Sequence, residues 1–376
     1  MKKKLGYIIA YVMIIAMVLS GCTAAEPVAP VNEEKSQEAA GQEEKSGSNG
    51  DGSGDYTEGL GDTFSGETSE PEEDASEEES EEEQKDDKDV DLILFMGQSN
   101  MSGAAGDATL APAVSEEAGM EFRAISDPTR LYPITEPFGI NENNPTGLNE
   151  FPEAKKGSLV SAFVNEYHKE TGRRVIAVSM SMGATDIGKW TSQGVMDDVK
   201  NRYELAVSYL NDNGYKIGDK YALWFHGESD GLNGTHPDTY ITGLDNLMRP
   251  LFIGGLQKVF IIVPGRTIDY RDVFLDIINV QKQICAESAY YAIATTVLDG
   301  VSAEYMKDQY HYNQHVLNMV GIESAKAVAY YEINGVEKIV YDYRNGEDMV
   351  PEGVMPGSQE EEDHLHFSDF DINEKY

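Results

Sequence analysis

Five short apolar runs, each rich in β-forming residues and separated by stretches of helical spacing, restrict this chain more than any other feature. The runs are Val90–Met96, Val175–Ser181, Tyr221–Phe225, Lys258–Val263 and Tyr290–Val297. Helical patterns lie between and after them. Ser158–Lys169 precedes Thr171-Gly172, a plausible helix stop. Val195–Leu210 places Val199, Tyr203, Ala206 and Leu210 on one face, and Arg271–Ala286 does the same with Val273, Ile277, Val280 and Ile284. Gln314–Tyr331 supplies a last helix. Continuous apolar strands alternating with helices predict a parallel sheet covered on both faces. No internal repeat is visible.

The pattern begins only near residue 90. The first 22 residues, MKKKLGYIIAYVMIIAMVLSGC, carry three lysines, an apolar stretch and small residues before Cys22, the marks of a secretory signal. Leu19-Ser20-Gly21-Cys22 resembles the lipobox of bacterial lipoproteins, in which the cysteine is acylated. That implies lipid attachment at Cys22, membrane anchoring through this lipid and a cell-surface, extracytoplasmic location. Residues 23–89 hold 24 acidic side chains against 4 basic ones and almost nothing apolar. Such a segment cannot bury enough surface to offset its conformational entropy and is expected to be a disordered acidic linker. As a neutral coil its 67 residues would span roughly 45 Å, and like charges lengthen it. The net charge of the whole chain is −38 with no basic patch, which disfavours a nucleic-acid partner. Cys285 is the only other cysteine, so no disulfide framework holds the fold. It reads as a small buried hydrophobe.

In an open parallel sheet, chemistry collects at the carboxyl ends of the strands. Four polar elements fall there. The first run enters Gly97-Gln98-Ser99-Asn100. The second enters SMGATDIGKW (181–190), the third WFHGESDG (224–231), and KDQYHYNQH (307–315) precedes the last helix. A serine hydroxyl is a weak nucleophile that needs a base, and an imidazole oriented by a carboxylate is the usual one. Asp308 and His311, three residues apart, suit that pairing, with Ser99 as nucleophile. Gly97 gives the chain room to turn, and the N–H groups of Ser99 and Gly183 are candidate oxyanion donors. Each residue has a plainer reading. Ser99 and Asp308 could cap helices, Gly183 could be only a turn, and Trp190 could be core rather than a sugar platform. His311 and His315 stand at i, i+4, but no third ligand is obvious, so no metal or other cofactor is expected.

The four ordered motifs GQSNMSG, GATDIGKW, WFHGESD and DQYH resemble those of the SGNH hydrolase superfamily, and more closely its carbohydrate esterase branch of sialate O-acetylesterase-like and acetyl xylan esterase-like domains. The resemblance covers about Val90 to Tyr331. It implies a three-layer α/β/α sandwich on a five-stranded, flavodoxin-like parallel sheet. It implies Ser99 as nucleophile, Asp308 and His311 as its activating pair, Ser99 and Gly183 as oxyanion donors, and Gln98, Asn100 and Glu228 as supporting residues. Two positions depart from the pattern. Ala184 replaces a second glycine. His226 stands where the family has glutamine, and is expected to take over that residue's donation to the oxyanion; His226→Gln should then keep activity and flatten its pH profile. The implied activity is removal of O-acetyl groups from a carbohydrate (acetylated xylan, another glycan or a sialoglycan). A non-catalytic glycan-binding surface protein on the same fold is the alternative. A paired-carboxylate glycosidase on Glu228 and Asp230, and a lipase or thioesterase, fit less well. The long loop from Ala104 to Lys156 is expected to shape the binding site, and residues 333–376 form a partly disordered extension of unassigned role. The sequence leaves the oligomeric state open.

Overall fold

The computed structural model describes residues 88–359. Cys22, the signal sequence, nearly all of the acidic linker, His364 and His366 lie outside the described residues.

The first strand, β1 (Asp89–Gly97), is the centre of the molecule. Its side chains alternate between two apolar layers. Val90, Leu92, Leu94 and Met96 enter one, and Ile93 and Phe95 enter the other. A strand buried on both faces needs no polar alternation, which is why the sequence runs apolar from Leu92 to Met96; the one interruption, the buried Asp91, is paired with Arg173 at 2.6 Å. The other expected strands form as β4 (Arg174–Ser181), β5 (Lys216–Phe225), β6 (Lys258–Ile262) and β7 (Tyr291–Thr295). All neighbours among these five are parallel, in the order β4-β1-β5-β6-β7.

The sheet extends past the expected five strands. β2 (Gly119–Phe122) pairs parallel to β4, and β3 (Leu131–Pro133) pairs antiparallel to β2, giving seven strands. Both come from the Ala104–Lys156 segment expected to be an irregular loop. At four and three residues they are too short to show a period of their own.

Helices cover both faces, so the layers are α/β/α. Val160–Thr171 and Gln314–Asn334 pack on the Ile93/Phe95 side through Phe163, Tyr167, Leu317, Val320 and Val328. Gln193–Asp212, Pro237–Ile253 and Leu275–Glu287 pack on the other side through Val199, Tyr203, Leu244, Leu247 and Ile277. Pro237–Ile253 was not anticipated, although His236 caps it and Pro237 occupies its first turn, both good start signals. Trp190 is fully buried, packs edge-on against Trp224 and donates to Thr185 Oγ1, so it is core rather than a sugar platform. Cys285 is half-buried. The C-terminal extension contributes a separate two-stranded hairpin, β8 (Val340–Asp342) and β9 (Glu347–Met349), anchored by Lys282–Asp342 and Arg344–Asp299 ion pairs. Among the described residues no helix is long and apolar enough to cross a membrane.

The chain leaves β1 to build β2, β3 and β4 on one side and then crosses to β5 on the other. The carboxyl end of β1 is therefore the topological switch point, where crossovers diverge and a crevice opens. The residues after β1, β4 and β5 line that crevice.

Candidate active site

Gly97 ends β1 with φ +146°, and any Cβ there would collide with the Phe225 carbonyl of β5. Only glycine allows the two strand ends to approach so closely. The backbone then turns into a single helical turn, Ser99–Ser102. Ser99 is its first residue and Gln98 its cap without a side-chain capping bond, so Ser99 does not cap a helix.

The Ser99 hydroxyl meets His311 Nε2 at 2.7 Å. His311 Nδ1 lies 2.8 Å from both Asp308 carboxylate oxygens. The two residues come from a tight loop closed by a Met306–Tyr312 bridge and a Lys307 N–H bond to the His311 carbonyl at 2.8 Å. Asn313, not Asp308, caps the following helix, accepting from the Val316 N–H. Burial alone would raise the Asp308 carboxyl; hydrogen bonds from the Tyr310 N–H and from His311 outweigh it and hold the carboxyl below its usual value. It is thus ionised wherever the imidazole needs an acceptor. Both His311 nitrogens are engaged by Ser99 and Asp308, and His311 and His315 do not act together as a ligand pair.

The amides beside Ser99 tie three loops together. Asn100 Nδ2 donates to Glu228 Oε1 at 2.8 Å and to the Tyr310 carbonyl at 3.0 Å, and Asn100 Oδ1 accepts from the Tyr312 N–H at 3.3 Å. His311 therefore sits between two residues whose backbone is held by Asn100. The Gln98 amide is best satisfied with its nitrogen towards Glu228 and Thr185, donating to Glu228 Oε2 at 3.3 Å and to the Thr185 carbonyl at 3.2 Å. Glu228 is fully enclosed, and burial pushes its carboxyl up against the opposing Asn100 bond. Asp230, raised by burial to about 6, accepts from the Ile187 N–H and so fixes the loop after β4. Glu228 and Asp230 are thus spent on holding loops and are not a free carboxylate pair for glycosidase chemistry.

Gly183, on that loop, lies close to the nucleophile: a Cβ built on it would stand 3.4 Å from Ser99 Cβ. Ala184 follows with φ +54°, a left-handed conformation that costs a non-glycine residue about 1 kcal/mol. This is the position where the family pattern carries its second glycine. The Gly183 N–H donates to Glu150 Oε1 at 3.0 Å. Glu150 escaped sequence reasoning, since one acid in an acid-rich chain carries no signal of its own.

His226 departs from expectation. Its ring is fully buried. It lies against Trp224, at 4.6 Å between centroids, with Trp190 and Tyr240 around it. Its Nδ1 faces the Tyr240 hydroxyl and the Asp230 carboxylate at 3.5 and 3.6 Å. Burial pushes its pKa down to about 3. A neutral ring enclosed by aromatic side chains is a core residue, so the oxyanion role expected for His226 is not carried forward.

With this geometry in place, the comparisons decide the family. The model of the family described as carbohydrate esterase, sialic acid-specific acetylesterase, matches residues 89–330. The chain belongs to this carbohydrate esterase family. None of the curated proteins compared matches the chain. Among solved structures, a protein from Arabidopsis thaliana is similar at 17% identity and a TM-score of 0.46, covering 65% of this chain and 99% of its own. A carbohydrate acetylesterase from Xanthomonas citri shares 16% identity at a TM-score of 0.41, over 64% of this chain and 57% of its own. An acetylxylan esterase from Geobacillus stearothermophilus shares 14% identity at a TM-score of 0.36, over 66% of this chain and 96% of its own. The matched region of this esterase runs from the first residue of β1 to the last helix, so it contains every site residue described above.

Proposed function

We propose that this carbohydrate esterase removes O-acetyl groups from a glycan through an acyl-serine intermediate, with Ser99 as nucleophile and His311 as its base. The observation that carries the reading is the unbroken line from Asp308 through His311 to Ser99, with contacts of 2.8 and 2.7 Å. Nucleophile, base and orienting carboxylate are within hydrogen-bond reach of one another.

The chemistry follows from those contacts. Ser99 Oγ attacks the acetyl carbonyl carbon while its proton passes to His311 Nε2. The oxygen that gains negative charge is received by the N–H groups of Ser99 and Gly183; one such donor is worth about 3 kcal/mol in the transition state. Asp308 steadies the imidazolium through Nδ1. His311 then returns the proton to the sugar oxygen as its bond to carbon breaks, leaving acetyl-Ser99 and a free sugar hydroxyl. Water, deprotonated by the same nitrogen, attacks the acyl carbon; His311 Nε2 then gives that proton to Ser99 Oγ as the bond between Oγ and carbon breaks, which releases acetate and restores the serine. Every proton moves through His311 Nε2, and no cofactor is needed.

The reading includes an extracytoplasmic site of action. The lipobox-like Leu19–Cys22 supports a surface lipoprotein. The carbohydrate would then be an extracellular or envelope glycan.

The deciding experiment compares wild type with Ser99→Ala for acetate release from a small acetyl ester and from acetylated glycans. The expected result is release by wild type and loss of nearly all of it in the folded variant. Binding of a glycan by both proteins without acetate release would replace the esterase reading by that of a surface sugar-binding module.

A further inference from the structure

The Gly183 N–H, assigned above to the oxyanion, already has an acceptor in Glu150 Oε1. The same oxygen is the atom that a Cβ on Gly183 would strike, and the Ser99 Cβ is the next nearest. The carboxylate therefore stands beside the nucleophile, at the place where the scissile carbonyl oxygen has to bind. Its second oxygen, Oε2, is buried and has no hydrogen-bond partner among the described residues.

The loop that delivers Glu150 is fixed. Its backbone is pinned to the helix Gln193–Asp212: Asp198 accepts from the Leu148 N–H and the Asn144 amide, both at 2.9 Å, and Arg202 donates to the Glu142 carbonyl at 2.7 Å. The Glu150 N–H is held by Asn143 Oδ1 at 2.9 Å. The side chain, by contrast, has a single hydrogen bond among the described residues. The movable part is thus the carboxylate itself.

An anion at this place opposes catalysis. The developing oxyanion and the carboxylate are like charges competing for one donor, so productive binding must displace Glu150. Glu150 is half-buried and faces the Lys155 ammonium electrostatically, but displacement removes its one hydrogen bond while Oε2 already has none among the described residues, and a partly desolvated carboxylate short of donors is expensive. A substrate that brings its own donor relieves this. An acetylated sugar with a free hydroxyl next to the ester can supply one to Glu150 as its carbonyl takes the Gly183 N–H. An aryl acetate or a fully acetylated sugar cannot.

We propose that Glu150 is a specificity residue: a displaceable carboxylate on the oxyanion donor that selects neutral, partly acetylated sugars with a free hydroxyl beside the ester. This deepens the esterase reading and rests on it.

The test measures kcat/KM for three substrates: a monoacetylated methyl glycoside, the fully acetylated glycoside and 4-nitrophenyl acetate. Wild type, Glu150→Ala, Glu150→Gln and Ser99→Ala are compared. In Glu150→Ala, removing a charge-assisted competitor should raise kcat/KM for 4-nitrophenyl acetate by about tenfold. The preference for the monoacetylated over the fully acetylated glycoside should fall by a similar factor of about ten. Glu150→Gln, which keeps the shape and an acceptor without the charge, should fall between. An unchanged preference in both variants, or a parallel loss on all three substrates, overturns the proposal. If wild type releases no acetate, or Ser99→Ala releases as much as wild type, the esterase reading has failed and the proposal with it. If those controls behave and only the preference is unmoved, Glu150 alone has been misread.

Discussion

Asn100→Ala tests whether the active-site geometry is held in the way described. The side chain serves three partners: the buried Glu228 Oε1 and Tyr312 N–H, and the partly buried Tyr310 carbonyl. Alanine leaves all three without it. A buried polar group deprived of its partner costs about 1–3 kcal/mol, and the 3.3 Å contact to Tyr312 belongs at the low end of that range. The sum is about 3 kcal/mol, since neighbouring groups and water recover part of the loss. A domain stable by about 5–15 kcal/mol survives this at room temperature. The effect on rate has a different origin. Tyr310 and Tyr312 flank His311, and Asn100 fixes the backbone of both. Freeing them lets the imidazole drift from Ser99, and a displacement of about 1 Å lowers the rate by about 100-fold.

The assay is urea unfolding alongside initial rates of acetate release. The expected result is a loss of about 3 kcal/mol with kcat down about 100-fold and KM nearly unchanged. Wild-type kcat together with the stability loss would show that the His311 loop is held by other contacts. A collapse of kcat with no loss of stability would give Asn100 a direct part in the chemistry. Either result refutes the argument that Asn100 acts by positioning.

Two further predictions concern pH. His226 has its folded pKa lowered from 6.5 to about 3 by burial, so between those values the unfolded chain binds a proton that the folded chain does not. Stability is therefore lost as pH falls through that window, by up to about 1.4 kcal/mol per unit; His226→Gln should show a shallower acid slope in urea unfolding and an unchanged pH profile of activity, whereas parallel stability curves would refute the neutral core assignment. Lys155 is buried against Ser181 Oγ at 2.9 Å and lowered to about 8, chiefly by burial. The folded chain sheds this proton before the unfolded chain does, so wild-type stability should rise relative to Lys155→Met from about pH 8 to pH 10; a constant difference across that range would contradict it.

The five central strands were legible because each carries a mostly apolar run that is buried on both faces, as in Leu92–Met96 of β1 and Tyr221–Phe225 of β5. The helices Val160–Thr171 and Gln193–Asp212 were legible from their one-sided spacing. β2 and β3 were not, because strands of four and three residues derive their place from pairing with β4 rather than from any pattern of their own. The geometry brings Ser99, His311 and Asp308 together, as their positions after the first and the last of the expected strands suggested. His226 shows the limit of motif reasoning. Its place in the motif follows from the order of residues, but its surroundings depend on Trp190, Trp224 and Tyr240, brought from three elements by the fold. Glu150 shows the converse: a residue with no motif, delivered to the site only because Asp198 and Arg202 pin its loop.

The placing of one serine between two amides has a physical reason. Ser99 must face His311, and the loop that carries it must be tied to the turns after β5 and before the last helix. An ionised side chain beside Ser99 would bring a third charge close to the Asp308–His311 pair and would have to be desolvated to reach Glu228. An amide carries no charge and offers donors and an acceptor together. Asn100 uses all of these at once, giving its N–H groups to Glu228 and Tyr310 and taking the Tyr312 N–H. Gln98 donates to Glu228, in the turn after β5, and to the Thr185 carbonyl on the other side. The loop is therefore held rigidly without disturbing the electrostatics of proton transfer, and the carboxylate that reaches the oxyanion donor is Glu150, on a side chain that can move away.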